Sequence, residues 1–158
     1  MAALSIFPAC AASAAMLTMP NDPASKTVFT RIIQGELPCA KVFEDDKVFA
    51  FMDAGQINPG HVLVATKIPY ETFMDADEDS VLAMMRAAHR IAIAVQREFN
   101  PQGMTLLQAN RPAGWQTVPH LHIHILPRYD DDGVGLVWPR KDPGLDALRD
   151  YAARIRLD

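Results

Sequence analysis

The chain has 158 residues, 49% of them hydrophobic and 22% charged, with a formal net charge of −4; that length suits one domain around one core. The acidic balance excludes a chain-wide electrostatic grip on nucleic acid, but not a small phosphorylated ligand held by a few local donors. Cys10 and Cys39 have neither metal-ligand nor disulfide-framework spacing, which points to a reducing, cytoplasmic setting, and no apolar run reaches the ~18 residues of a membrane span.

Residues 1–24 are expected to be a disordered extension. Its Ala-rich run has no Lys or Arg before Lys26, so it lacks the basic start of an export signal. Pro20 to Pro23 form a breaker cluster, after which Ser25 is positioned to cap a short helix running to about Gln34. Gly35 suits the left-handed residue that follows a helix. Val28, Phe29, Ile32 and Ile33 share one face of that helix. Spacing alone favours core packing there over a wall for a planar ligand.

Two β-type runs follow, 40–44 and 48–52, joined by the polar turn Asp45-Asp46-Lys47. After a loop with Asn58-Pro59-Gly60 turn chemistry comes a third strand, His61 to Thr66, ended by Pro69. A long helix capped by Asp77 or Asp79 runs to about Glu98. Its apolar stripe is read as Leu82, Met85, Ala88, His89, Ala92, Val95, Gln96 and Phe99, facing the core, and His89 is given no role. Strands at 104–109 and 118–127 flank a Pro/Gly loop. The run Asp130-Asp131-Asp132 is read as a solvated turn. Leu145, Leu148, Tyr151, Ala152 and Ile155 then recur at helical spacing. The pattern is α+β, an antiparallel sheet with two main helices plus a C-terminal helix. The domain is placed at 25–130, with a tail at 131–158.

His120-Leu121-His122-Ile123-His124-Ile125 alternates in strict period two. In a strand the histidines share one face and the apolar residues the other. A metal site is one reading. Same-face neighbours sit ~6.5–7 Å apart, so the outer pair is ~13 Å apart, and a straight strand cannot bring all three to one ion. Two could ligate zinc if a third ligand came from elsewhere, such as His61 or Asp53. A structural role is the second reading, although buried polar groups need partners. Phosphoryl chemistry is the third and the favoured one. Imidazole is a good nucleophile and proton donor near neutral pH, and flanking histidines could hold phosphate oxygens and protonate a leaving group. Gly114, Gln116 and Thr117, just upstream, add close backbone approach and side-chain donors.

At these residues the sequence resembles the histidine triad family, whose signature alternates three histidines with apolar residues. His120-Leu121-His122-Ile123-His124-Ile125-Leu126 matches it in full, and Pro127-Arg128 follows as in many members. The similarity extends to Phe29–Pro38, Val48–Asp53 and Asn58–Val64, so it spans roughly residues 26–130. The resemblance implies hydrolysis at the α-phosphate of a purine nucleotide, above all a nucleoside 5'-phosphoramidate, through a covalent nucleotidyl-histidine. Dinucleoside polyphosphate hydrolysis is the close variant, and a nucleotide-binding module with little turnover is the rival. The resemblance makes His122 the nucleophile, His124 a phosphate contact, His120 a support and His61 a border of the site. It gives Asp53 to the ribose, Val28, Phe29, Ile32 and Phe51 to the base, and Gln116 and Thr117 to the α-phosphate or the leaving-group bridge, and Asn110 is counted as a nucleotide contact on the phosphate or base side. It implies no cofactor and a homodimer built on the long helix and the strand after it. Trp138-Pro139-Arg140 in the tail could reach the partner's site, although packing is the favoured reading of such an aromatic residue. Three departures stand out. Thr27 and Thr30 occupy the positions of a Cys-x-x-Cys that binds structural zinc in several bacterial members, so no metal is expected. Trp115 stands where glycine is usual, and Ala109 where asparagine is common.

Overall fold

Short β-branched runs pair into a five-stranded antiparallel sheet in the order β1-β2-β3-β5-β4. The strands are β1 (Lys41–Glu44), β2 (Val48–Met52), β3 (Val62–Thr66), β4 (Gly103–Gln108) and β5 (His122–Arg128), with helices α1 (Val28–Ile33), α2 (Glu78–Phe99) and α3 (Leu145–Ile155). This computed structural model describes residues 26–135 and 139–157. The expected extension at 1–24, the expected cap Ser25 and Trp138 lie outside the described residues. Among the described residues no helix is long and apolar enough to cross a membrane.

Local chemistry accounts for the element ends. Asp45 Oδ1 accepts from the amides of Lys47 and Val48, closing the β1–β2 turn. The cap of α1 is Thr27, whose hydroxyl accepts from the Thr30 amide, and not Ser25. Asp77, rather than Asp79, caps α2 by accepting from the Ser80 amide. Asn100, in the left-handed conformation at φ 45°, ends it.

Because side chains alternate along a strand, the sheet buries both faces. Val48, Ala50, Val62, Val64, Leu121, Ile123 and Ile125 pack against α2. Phe49, Phe51, Leu63 and Ala65 pack on the other face with Phe29 of α1. The stripe of α2 that meets the sheet is Met84, Ala87, Ala88, Ile91 and Val95. Leu82, Met85 and Phe99, expected on that stripe, are exposed. The helix has more apolar residues than one face can bury, and the sheet selects the stripe whose small Ala87 and Ala88 let it approach closely.

β5 begins at His122, four residues later than the alternating pattern suggests. Residues 117–120 form a bend instead. The His120 amide donates to the Val118 carbonyl (2.8 Å) and the Leu121 amide to the Tyr70 carbonyl (2.7 Å), a contact from outside the strand. No residue of α3 is buried. Asp132 is also not the solvated charge expected. Its side chain is 4% exposed and accepts from Arg128 Nε at 2.7 Å.

Candidate active site

The histidines sit where the second apolar layer, α1 and the β2–β3 loop meet the sheet. They divide into an inner and an outer pair.

His120 is fully buried. Its Nε2 lies 2.7 Å from the Thr66 carbonyl. A carbonyl only accepts, so Nε2 carries the proton and Nδ1 presents a lone pair. The Thr27 hydroxyl reaches that lone pair at 3.1 Å, with the Thr30 hydroxyl at 3.4 Å. The hydroxyl that caps α1 therefore also holds His120. His122, 3% exposed, places Nδ1 2.6 Å from the His120 carbonyl. The same reasoning puts its proton on Nδ1 and leaves Nε2 with the lone pair. The edge-to-face Phe29 ring, centroid at 4.9 Å, fixes the plane of His122.

The outer pair is organised differently. His61 Nε2 and His124 Nδ1 lie 2.9 Å apart. Asp53 Oδ2 is 3.5 Å from the first and 3.9 Å from the second. The loop from Asp53 to His61 is closed by its own backbone, Asp53 N donating to the His61 carbonyl at 3.1 Å. The Gln56 side chain staples it further. Its Nε2 donates to the carbonyls of Asp53 and His61, and its Oε1 accepts from the amides of Gly60 and His61. His61 Nδ1 is buried with no hydrogen bond of ordinary geometry, although the Gly55 backbone lies near enough to raise the ring's pKa.

All four rings are held below the ordinary imidazole range, chiefly because burial penalises their charged forms. For His124 the neighbouring His122 and His61 add to that, and its pKa falls to about 4. Asp53 raises those of His61, His122 and His124 without reversing the direction. At neutral pH the cluster is neutral, the state in which an imidazole nitrogen is nucleophilic.

The structure brings His61, His120, His122, His124 and Asp53 together. It also brings Phe29, Ile32 and Phe51 into one apolar cluster, with Phe29 and Phe51 edge to face at 5.4 Å. Val28 stands outside that cluster and is exposed. Gln116 is buried, but its amide bonds the Arg111 amide and the Glu71 carbonyl, both at 2.6 Å. Asn110 is likewise engaged, with Phe73 and Gln108. Thr117 is exposed. Trp115 adopts φ 73°, the left-handed conformation that glycine takes freely. Sequence reasoning did not give Gln56, Thr27 or Thr30 a role. The residues 27 and 30 stood out only as replacements for cysteines, and Gln56 sits in a loop with no periodic signal.

A family model described as HIT domain matches residues 34–131. Protein hit of Bacillus subtilis is 40% identical over 116 residues, covering 73% of this chain and 80% of that protein. Adenylylsulfatase HINT3 of Arabidopsis thaliana is 35% identical over 115 residues, covering 73% of this chain and 56% of that protein. Among solved structures, a HIT family member from Bacillus subtilis superposes with a TM-score of 0.80 at 36% identity, over 85% of this chain and 99% of that one. A histidine triad nucleotide-binding protein from Candida albicans superposes with a TM-score of 0.76 at 26% identity, over 82% and 94%. With these matches, the triad and its neutral, buried setting fall into one context: the chain belongs to the histidine triad (HIT) domain family.

Proposed function

We propose that the chain is a nucleotide hydrolase that cleaves nucleoside 5'-phosphoramidates, with purine bases preferred, through a nucleotidyl-His122 intermediate. The observation that carries this reading is the bond from His122 Nδ1 to the His120 carbonyl, which leaves Nε2 as a fixed, neutral nucleophile. Nε2 attacks the α-phosphorus. The Nε2–P bond forms as the P–N bond to the leaving amine breaks. His124 contacts the phosphate, whose negative charge raises the proton affinity of that ring and equips it to protonate the amine. Water then attacks the phosphorus and passes a proton back to His124 as the Nε2–P bond breaks, releasing nucleoside monophosphate and neutral His122. Asp53 accepts from the ribose hydroxyls, while Phe29, Ile32 and Phe51 wall the base. Thr117 and the backbone around it serve the phosphate side.

A different leaving group fits the same attack at phosphorus. The Arabidopsis relative's name, adenylylsulfatase, makes adenylyl sulfate the second substrate to assay. The proposed assembly is a homodimer. Leu82, Met85 and Ile93 on the outward side of α2, and Leu106 of β4, are exposed apolar residues in support of it.

The test is a single-turnover mix of the protein with nucleoside phosphoramidate labelled at the α-phosphate. The expected result is acid-labile label on His122, absent from His122→Ala. Equal labelling of both proteins overturns the assignment of the nucleophile.

A further inference from the structure

Asp53, His61 and His124 converge on one point from two elements. Asp53 and His61 close the ends of the β2–β3 loop, and His124 comes from β5, paired across the sheet to Leu63. Their nearest ligand atoms are 2.9, 3.5 and 3.9 Å apart. A tetrahedral zinc site with bonds of ~2.0–2.1 Å has ligand-to-ligand edges of about 3.3 Å, a value inside that range.

The protein's own hydrogen bonds engage the three ligand atoms only in part. Only one proton fits between His61 Nε2 and His124 Nδ1. Asp53 Oδ2 lies at or beyond 3.5 Å from both nitrogens, longer than the 2.7–3.2 Å of an ordinary N–H···O bond. Its other oxygen, Oδ1, is already taken by the Gly55 amide at 2.8 Å. Oδ2 is therefore a carboxylate oxygen that faces two imidazole nitrogens and, among the described residues, has no donor at ordinary hydrogen-bond distance. The backbone closure and Gln56 hold the chelating loop in place before any ion arrives, and this lowers the ordering cost of binding. His61 is 2% exposed, whereas Asp53 and His124 are 22% and 26% exposed, which leaves one side of the cluster open to solvent. Two imidazoles and one carboxylate with an open position is a ligand set suited to zinc and its first-row neighbours, and poor for magnesium or calcium, which prefer oxygen.

We infer that Asp53, His61 and His124 form a binding site for one zinc-class divalent cation, and that the cation and the nucleotide exclude each other. The exclusion rests on the proposed contacts of Asp53 with ribose and His124 with phosphate. The binding site itself does not. Cation binding would make the protein a hydrolase that zinc switches off.

The experiment uses the full chain without a histidine tag, stripped with chelator, and titrated with cobalt(II) while the 500–650 nm absorption is followed. One equivalent is expected to bind with the intense bands of a tetrahedral site, and zinc should displace it. Asp53→Asn and His61→Gln should each weaken binding at least tenfold. His89→Gln, on the exposed face of α2, should leave it unchanged. Asp53 is partly exposed, so its variant remains informative if the buried His61 substitution disrupts folding. Absent bands, or equal binding by wild type and Asp53→Asn, overturns the site. Saturating nucleoside monophosphate should weaken cobalt binding at least tenfold, and unchanged affinity overturns the exclusion. Neither readout depends on turnover, so failure of the cation site and failure of the His122 labelling test are separable.

Discussion

The two halves of the histidine cluster are built from the same side chain and constrained in opposite ways. In the inner half, His120 and His122 each face a carbonyl oxygen, and these acceptors fix which nitrogen holds the proton. In the outer half, His61 and His124 face each other and a carboxylate, and among the described residues no carbonyl oxygen stands in ordinary hydrogen-bond geometry to either ring. Acceptors that never donate produce a defined nucleophile. Partners that can do either produce a place where protons, phosphate charge or a cation can be exchanged.

The largest effect that could break this contrast is on turnover. His122→Ala should lower kcat/KM by at least 10³, about 4 kcal/mol of transition-state stabilisation. A loss below tenfold in a steady-state assay would move the nucleophile elsewhere.

Second is pH. The folded-state pKa of each of the four clustered histidines lies below its unfolded value, so the unfolded chain binds more protons as the solution is acidified. Stability is then complete above the unfolded value near 6.5, falls as pH drops towards about 4, and levels off below that for His124. That single shift corresponds to about 3 kcal/mol. Urea midpoints measured from pH 7.5 to 4 should fall accordingly. A flat profile would mean that the rings are not buried as neutral groups. Asp77 and Asp132 are held below their usual carboxylate range by Tyr70 and Arg128 respectively, so their contribution is lost at more acidic pH.

Third, Thr27→Val keeps shape but removes the hydroxyl on His120 Nδ1. We expect kcat to fall about tenfold, ~1.4 kcal/mol, with KM within about twofold and with recovery in Thr27→Ser. A rise in KM alongside the fall in kcat, unrescued by serine, would indicate general loosening of α1. The smallest effect should come from Val28, outside the aromatic cluster. Val28→Ala should change stability by no more than about 0.5 kcal/mol in chemical denaturation, as expected for an exposed position. A larger cost would place Val28 on a surface that is covered in solution.

Much of the fold was legible because its signals are local. The Asp45 turn, the Asp77 cap and the apolar runs of β2 and β3 are each written within a few residues. The bend at 117–120 was not legible, because Tyr70, which holds Leu121 at its end, lies about fifty positions away and alternation looks the same in a strand and in an extended bend. The facing of α2 was also hidden. Two apolar stripes compete on that helix, and only the sheet decides between them. At the site, residue types and spacing exposed the histidines and Asp53. What the sequence did not record is that Gln116, given to the phosphate side, bonds backbone groups at Glu71 and Arg111. That engagement depends on how the loop folds back, which no spacing records.

The hydroxyls of Thr27 and Thr30 have a consequence for the chemical robustness of the protein. Where several relatives place two thiols around a structural metal, this chain holds His120 with groups that neither oxidise nor dissociate an ion. Peroxide or a strong chelator, which would dismantle a thiolate-metal clamp, has nothing to attack at the inner half of the site. The geometry of the nucleophile is therefore uncoupled from the redox state of its surroundings and from the supply of zinc.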